Sequence, residues 1–322
     1  MRIEGIYAVH IEQYLGFKRS LGYKLRDIEY IFSQFDRLTL EREETIIGIT
    51  KELSDAWCEK RSNEQEGTRY ARVSQLSLFA KYLCDVGFPS YIPEVPRLRR
   101  SFVPYIFTKD EIASLFIASD NFTPDKITHD CSYRMMPVLF RLLYGTGLRL
   151  GEALALDEKD VNLQQQIIRV RQSKNGTERI VPLSESLTNA CVHYLEQKPV
   201  WLAHHSKSNL FFVKRDNSQC GHHSAYTAFR IILWRAGIPY KGKGLGPRLH
   251  DLRHTFACHS MTAMIESGLD LYHSLPILSN YLGHRTIEST NKYVRLTSEM
   301  YPHLLQSVNE VCSHVFPEIK NK

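Results

Sequence analysis

The chain has 322 residues, 43% hydrophobic and 24% charged, with a formal net charge of +6. That composition favours two globular domains over one and supplies enough apolar material for real cores. No uncharged apolar stretch reaches the roughly 18 residues of a transmembrane helix. The opening MRIEGIYAVHIEQYLGF carries acidic residues where a secretory signal needs an unbroken apolar run. A cytoplasmic location with no membrane partner is therefore expected.

Residues 1–92 read as a bundle of about four helices. IYAVHIEQYLGFKRSLGY has helical apolar spacing and stops near Gly22. LRDIEYIFSQFDRLTL puts Ile28, Ile31, Phe32 and Phe35 on one face. TKELSDAWCEKR opens on Thr50, a good N-cap, and the next helix runs from Thr68 to a stop at Gly87. The stretch 93–104 then holds three prolines and three arginines, a linker signature, because proline removes helix and strand hydrogen bonds. A new helix starts at Thr108, where TKDE forms a capping-box pattern. The domain boundary is expected near residue 103, giving units 1–103 and 104–322.

The second unit carries the basic excess and 13 of the 14 histidines. A basic excess suits a polyanionic partner, but its modest size does not decide the matter. The unit reads as mainly helical with one β interruption. QQQIIRVRQSKNGTERIVPL is rich in Ile, Val and Arg, and Asn175-Gly176 is a strong hairpin signal, which puts Lys174 at a hairpin tip. The glycine-rich KGKGLGP lacks both the preceding strand and the GKS/T ending of a P-loop.

The seven cysteines (58, 84, 131, 191, 220, 258 and 312) are dispersed without a CxxC pair and read as reduced thiols. Two clusters resemble metal ligands. CGHH (Cys220, His222, His223) lacks a second ligand pair, and HTFACH (His254, Cys258, His259) reads better as part of one helix. No metal and no cofactor are expected.

Four segments concentrate chemistry. YGTGLRLGEALAL carries Arg149 just inside a helix after a Gly-Thr-Gly turn, and QSKNGTER carries Lys174. RLHDLRHTFACH places His250 and Arg253 three apart, as neighbours on a helix face, and LGHRTIESTNKY carries His284 and Tyr293 nine apart. Positions nine apart lie on opposite sides of a straight helix, so the last pair can meet only if the chain turns between them. Each residue alone has an ordinary structural reading: Arg149 pairing with Glu152, Lys174 solvated, His250 and Arg253 on a polar stripe, His284 beside a C-cap and Tyr293 half-buried.

Together, and in this order, these motifs resemble the tyrosine recombinases, or phage integrase family, over most of residues 104–300. The resemblance implies a mainly α fold with a small β-sheet or hairpin: a helical core-binding domain followed by a mixed α/β catalytic domain. It implies that Tyr293 attacks a DNA phosphate to give a 3′-phosphotyrosine, while Arg149 and Arg253 clamp the phosphate with planar forks. His284 then adds a hydrogen bond, His250 accepts the tyrosine proton and Lys174 protonates the departing 5′ oxygen. Glu152 orients Arg149. The implied partners are double-stranded DNA with paired recombination half-sites and three further copies of the chain, forming a homo-tetramer that moves a mobile element without ATP or metal. A topoisomerase-like nicking enzyme and a catalytically silent DNA-binding regulator are the alternatives. In the first unit, Arg69 and Arg72 are the candidate DNA contacts. In 301–316, an apolar face of Leu304, Leu305, Val308, Val311, Cys312 and Val315 is the candidate segment for docking on a neighbouring protomer.

Overall fold

The computed structural model describes residues 3–23, 25–97, 103–123, 132–171, 178–202, 208–240, 242, 246–284, 286 and 288–300. Contacts divide the chain into two compact units, Met1–Phe102 and Val103–Lys322.

The first unit is a four-helix bundle: α1 (Ala8–Ser20), α2 (Arg26–Glu41), α3 (Lys51–Cys58) and α4 (Glu66–Asp85). Its core is aromatic. Tyr7, Phe32, Phe35, Trp57 and Phe79 are buried, and edge-to-face contacts join Tyr7 to Phe79, Phe32 to Phe79 and Phe35 to Trp57. On α2 the expected apolar face divides by depth: Phe32 and Phe35 are buried, while Ile28 and Ile31 pack against the core from its edge. Thr50 caps α3 by accepting from the Leu53 N–H at 3.1 Å. The fourth helix begins two residues before Thr68, with Gln65 in extended backbone ahead of it.

Arg72, on α4, corrects one expectation. The residue is 4% exposed. Its guanidinium makes a two-pronged bond to the Glu64 carboxylate at 2.8 and 2.9 Å, reaches the Glu59 carbonyl at 2.9 Å and covers the Trp57 ring. It is a packing residue of the bundle, with its guanidinium committed to Glu64, Glu59 and Trp57. Arg69 is half-buried, and its Nε donates to the Cys58 carbonyl at 3.0 Å.

In the second unit, Thr108 and Glu111 form the expected reciprocal capping box at the start of α5 (Lys109–Asp120). There follow α6 (Met136–Thr146), α7 (Leu150–Leu154) and a three-stranded antiparallel sheet in the order β1 (Val161–Asn162), β2 (Ile167–Val170) and β3 (Arg179–Pro182). The hairpin register pairs Ile168 with Val181 and Val170 with Arg179. Ile168, Val170 and Val181 are buried, so this side of the sheet packs on the core. Lys174 and the Asn175-Gly176 turn lie outside the described residues. The chain continues through α8 (Glu185–Trp201), α9 (His222–Arg235), α10 (Asp251–Glu266), α11 (Leu271–Leu282) and α12 (Glu288–Met300). Residues 301–316 also lie outside the described residues. Among the described residues, no helix is long and apolar enough to cross a membrane.

Helix α10 is the spine of the unit. It packs against α6, α11 and α12, and its Thr255 hydroxyl accepts from the Phe107 N–H at 3.1 Å, which ties in the segment before α5. Gly147 ends α6 at φ +61, and a Cβ there would meet Phe256 Cδ1 at 2.5 Å and Leu282 Cδ2 at 2.9 Å.

Two stability effects are expected. Gly147→Ala combines a left-handed backbone with an overpacked contact and should cost about 2 kcal/mol or more in urea unfolding. Arg72→Met strands the buried Glu64 carboxylate and should destabilise the first unit by about 3 kcal/mol, much of it recovered by adding Glu64→Gln.

Candidate active site

Four chain turns deliver the side chains. Arg149 is the N-cap residue of α7, in extended backbone just after the Gly147 turn. The Glu152 carboxylate reaches back to the Arg149 N–H at 3.0 Å and to its Nη1 at 2.7 Å. This is the carboxylate half of a capping box; a guanidinium cannot supply the accepting half.

Glu152 also binds a residue with no expected role. Arg179, at the start of β3, donates its Nη2 to Glu152 Oε2 at 2.6 Å and its Nη1 to Oε1 at 3.4 Å. The Glu152 side chain is 3% exposed and that of Arg179 is 9% exposed. Burial pushes the Glu152 pKa up, but hydrogen bonds from Arg179 and the Arg149 backbone outweigh it, so the group sits below the ordinary carboxylate value. Arg179 also runs beneath Gly283, where an added Cβ would lie 3.1 Å from its Nη1.

Arg253, on α10, is 2% exposed. It donates Nη1 to the Gly147 carbonyl at 2.6 Å, and Nη2 to the Leu282 carbonyl at 2.8 Å and to His284 Nε2 at 3.1 Å. Burial, then the charge of Arg149, pulls its pKa down to about 10, which leaves it a cation at neutral pH.

His284 follows the end of α11 as expected. Gly283 takes φ +64, its N–H bonds the Asn280 carbonyl, and the His284 N–H bonds the Ser279 carbonyl, both at 3.0 Å. That double bond pattern is a Schellman cap, and it needs a left-handed residue at position 283. His284 Nδ1 lies 2.7 Å from the Thr290 hydroxyl. Because arginine only donates, Nε2 must accept from Arg253, so Nδ1 carries the hydrogen and gives it to Thr290.

Tyr293 arrives on α12, from the far side of that turn. It is fully buried, its ring stacked 6.3 Å from the His284 ring at 16°. Its hydroxyl lies 2.8 Å from His254 Nδ1. Burial raises its pKa well above that of free tyrosine, against the lowering charge of the nearby Arg253.

Arg149, Glu152, Arg253, His284 and Tyr293 therefore converge. His250, at the head of α10, is exposed, with its ring 4.8 Å from that of His254. His254, rather than His250, meets the Tyr293 hydroxyl. The two histidines of HTFACH serve separate tyrosines, since His259 Nδ1 lies 3.0 Å from the Tyr144 hydroxyl. Around this point, among the described residues, three guanidiniums, of Arg149, Arg179 and Arg253, face the Glu152 carboxylate.

Residues 106–300 match the model of the phage integrase family. This chain belongs to that family. An integrase/recombinase of Sinorhizobium fredii is 30% identical over 90% of this chain and 93% of its own length. The tyrosine recombinase XerD of Listeria monocytogenes is 27% identical over 84% and 86%. Among solved structures, the Tn1549 transposon integrase shares the fold at a TM-score of 0.64, with 17% identity, covering 88% of this chain and 93% of that one. A lambda integrase structure does so at 0.61, with 15% identity and the same coverages. As a phage integrase family member the chain is a site-specific tyrosine recombinase, mainly helical with a small antiparallel sheet.

Glu152→Gln should cost about 3 kcal/mol at pH 7, because it leaves buried guanidinium charge without its counter-ion. The sign with pH follows from the depressed pKa. The carboxylate stabilises the fold above its unfolded-state value near 4.3 and loses that contribution as pH falls through the lower folded-state value. The gap between wild type and variant in unfolding midpoints should therefore close on acidification below about pH 4.

Proposed function

We propose that this recombinase cuts and rejoins double-stranded DNA through a 3′-phosphotyrosine on Tyr293, working as a tetramer on paired half-sites to integrate, excise or transpose a mobile element. The observation that carries the reading is that two guanidiniums, of Arg253 and Arg149, lie beside the buried Tyr293. Negative charge building on the non-bridging oxygens of a phosphodiester under attack requires fixed cationic donors, and these are already in place.

In this reading Arg149 and Arg253 hold the phosphate oxygens. Glu152 and Arg179 fix Arg149 from behind. His284 gives up its Arg253 contact and, once protonated, donates to the same phosphate. Lys174 protonates the departing 5′ oxygen. The bond to Tyr293 replaces one phosphodiester bond with another of similar energy, so rejoining needs no nucleotide. Because Tyr293 is fully buried, DNA binding must uncover its hydroxyl before a phosphate reaches it.

Support for a DNA substrate comes from the relatives of similar fold: the Tn1549 integrase is described in complex with a circular intermediate DNA, and lambda integrase as a dimer on a core site. Residues 1–103 would then be the core-binding domain, with Arg69 as its candidate contact, and 104–322 the catalytic domain ending in the segment 301–316 that docks on a neighbouring protomer.

Tyr293→Phe should abolish the covalent protein–DNA adduct on a nicked suicide substrate while DNA affinity stays within about twofold, since affinity rests on Lys/Arg–phosphate contacts. An adduct that persists in this variant, or that disappears in Tyr281→Phe instead, would place the nucleophile elsewhere. Relaxation of supercoiled plasmid without recombinant products would favour the topoisomerase-like alternative.

A further inference from the structure

We infer that His254, and not the exposed His250, takes the proton from Tyr293 during strand cleavage, and that His250 relays it outward. The inference rests on the reading of Tyr293 as the nucleophile and names a catalytic group for that step. Three observations carry it.

The first is contact. His254 Nδ1 lies 2.8 Å from the Tyr293 hydroxyl, and both residues are buried, at 4% and 0% exposure. A base must stand within hydrogen-bond reach of the proton it removes, and this one does so in the free protein. The second is direction. The other named group at that hydroxyl is Arg253, which can only donate. Of these two groups His254 alone can accept the phenolic hydrogen, in the tautomer whose Nδ1 is bare. The third is an exit. A proton left on a buried imidazole beside Arg253 must be released, and the His250 ring stands 4.8 Å from that of His254, edge to face, and is solvent-exposed. The two residues are one helical turn apart at the N-terminus of α10, so the element that positions Arg253 also brings the two rings together.

The step balances as follows. Tyr293 Oη forms its bond to phosphorus as the bond from phosphorus to the 5′ oxygen breaks. The electron pair leaves with that oxygen, which takes a proton from the general acid. The Oη proton passes to His254 Nδ1, giving an imidazolium that discharges through His250 to water. Rejoining reverses each transfer. Among the described residues, the groups facing this pair include Arg253 and Cys258 on α10, His250 and Arg149 at the N-caps of α10 and α7, and His284 after α11.

The test uses the full-length protein with Tyr293 as tyrosine or as 3,5-difluorotyrosine, a more acidic phenol that loses its proton with less help. Single-turnover adduct formation is measured on a nicked DNA duplex for wild type, His254→Gln, His254→Asn and His250→Gln. Both His254 variants should slow the step about 100-fold or more, with DNA affinity and thermal unfolding close to wild type. Asparagine keeps a hydrogen-bonding atom near the Nδ1 position yet cannot hold the proton, so it should be as slow as glutamine. Difluorotyrosine should restore at least about tenfold to the His254 variants and little to wild type.

Three outcomes overturn the assignment. Rescue confined to His250→Gln makes His250 the base. A slow His254→Asn that difluorotyrosine leaves slow means that His254 only positions the ring. An unchanged or faster His254→Asn means that the hydrogen bond holds the tyrosine in reserve. If the wild type itself forms no adduct through residue 293, the nucleophile reading fails, and that failure is visible separately.

Discussion

The site depends on a guanidinium placed where water cannot reach it. Arg253 lies inside the second unit, and two of its bonds go to main-chain carbonyls, those of Gly147 and Leu282. An unpaired buried cation costs far more than any single contact returns, so the chain must bring those oxygens to it. Doing so draws the α6–α7 turn, the end of α11 and the start of α10 to one point. The same requirement explains the two glycines. Gly147 must close over Phe256 and Leu282, and Gly283 must turn the chain above Arg179.

The second brace is Glu152. A single carboxylate receives both forks of Arg179, together with the main chain and side chain of Arg149. It neutralises part of the local charge, shared among the guanidiniums it faces. Electrostatic preorganisation of this kind has its cost met during folding, so the guanidiniums are already assembled in the folded chain.

Much of this arrangement is legible in the sequence because the important residues stand at boundaries that have their own local chemistry. Arg149 follows a turn that needs glycine, His284 follows a glycine cap, and Thr108 announces its helix through Glu111. Arg179 and His254 are not legible in this way. In the sequence, Arg179 is one basic residue among several in a strand, and His254 is part of a cluster that resembles metal ligands. Their importance comes from partners 27 and 39 positions away in the chain. Arg72 misleads for the same reason: an arginine on an amphipathic helix reads as exposed until Glu64, in the preceding loop, folds back onto it. Helical periodicity locates faces well, but it cannot say which charged residue on a face will find a buried counter-ion.

Because two of the three acceptors of Arg253 are backbone oxygens, those two belong to every amino acid alike. A substitution at position 282 can alter packing, but it cannot delete the carbonyl that Nη2 uses. The pocket is thus buffered against drift in the side chains that surround it, and its tolerance is limited by backbone shape. Mutational fragility should accordingly gather at the few positions that fix that shape and thin out among the larger apolar residues nearby. In this site, heritable information about charge placement is stored as chain geometry.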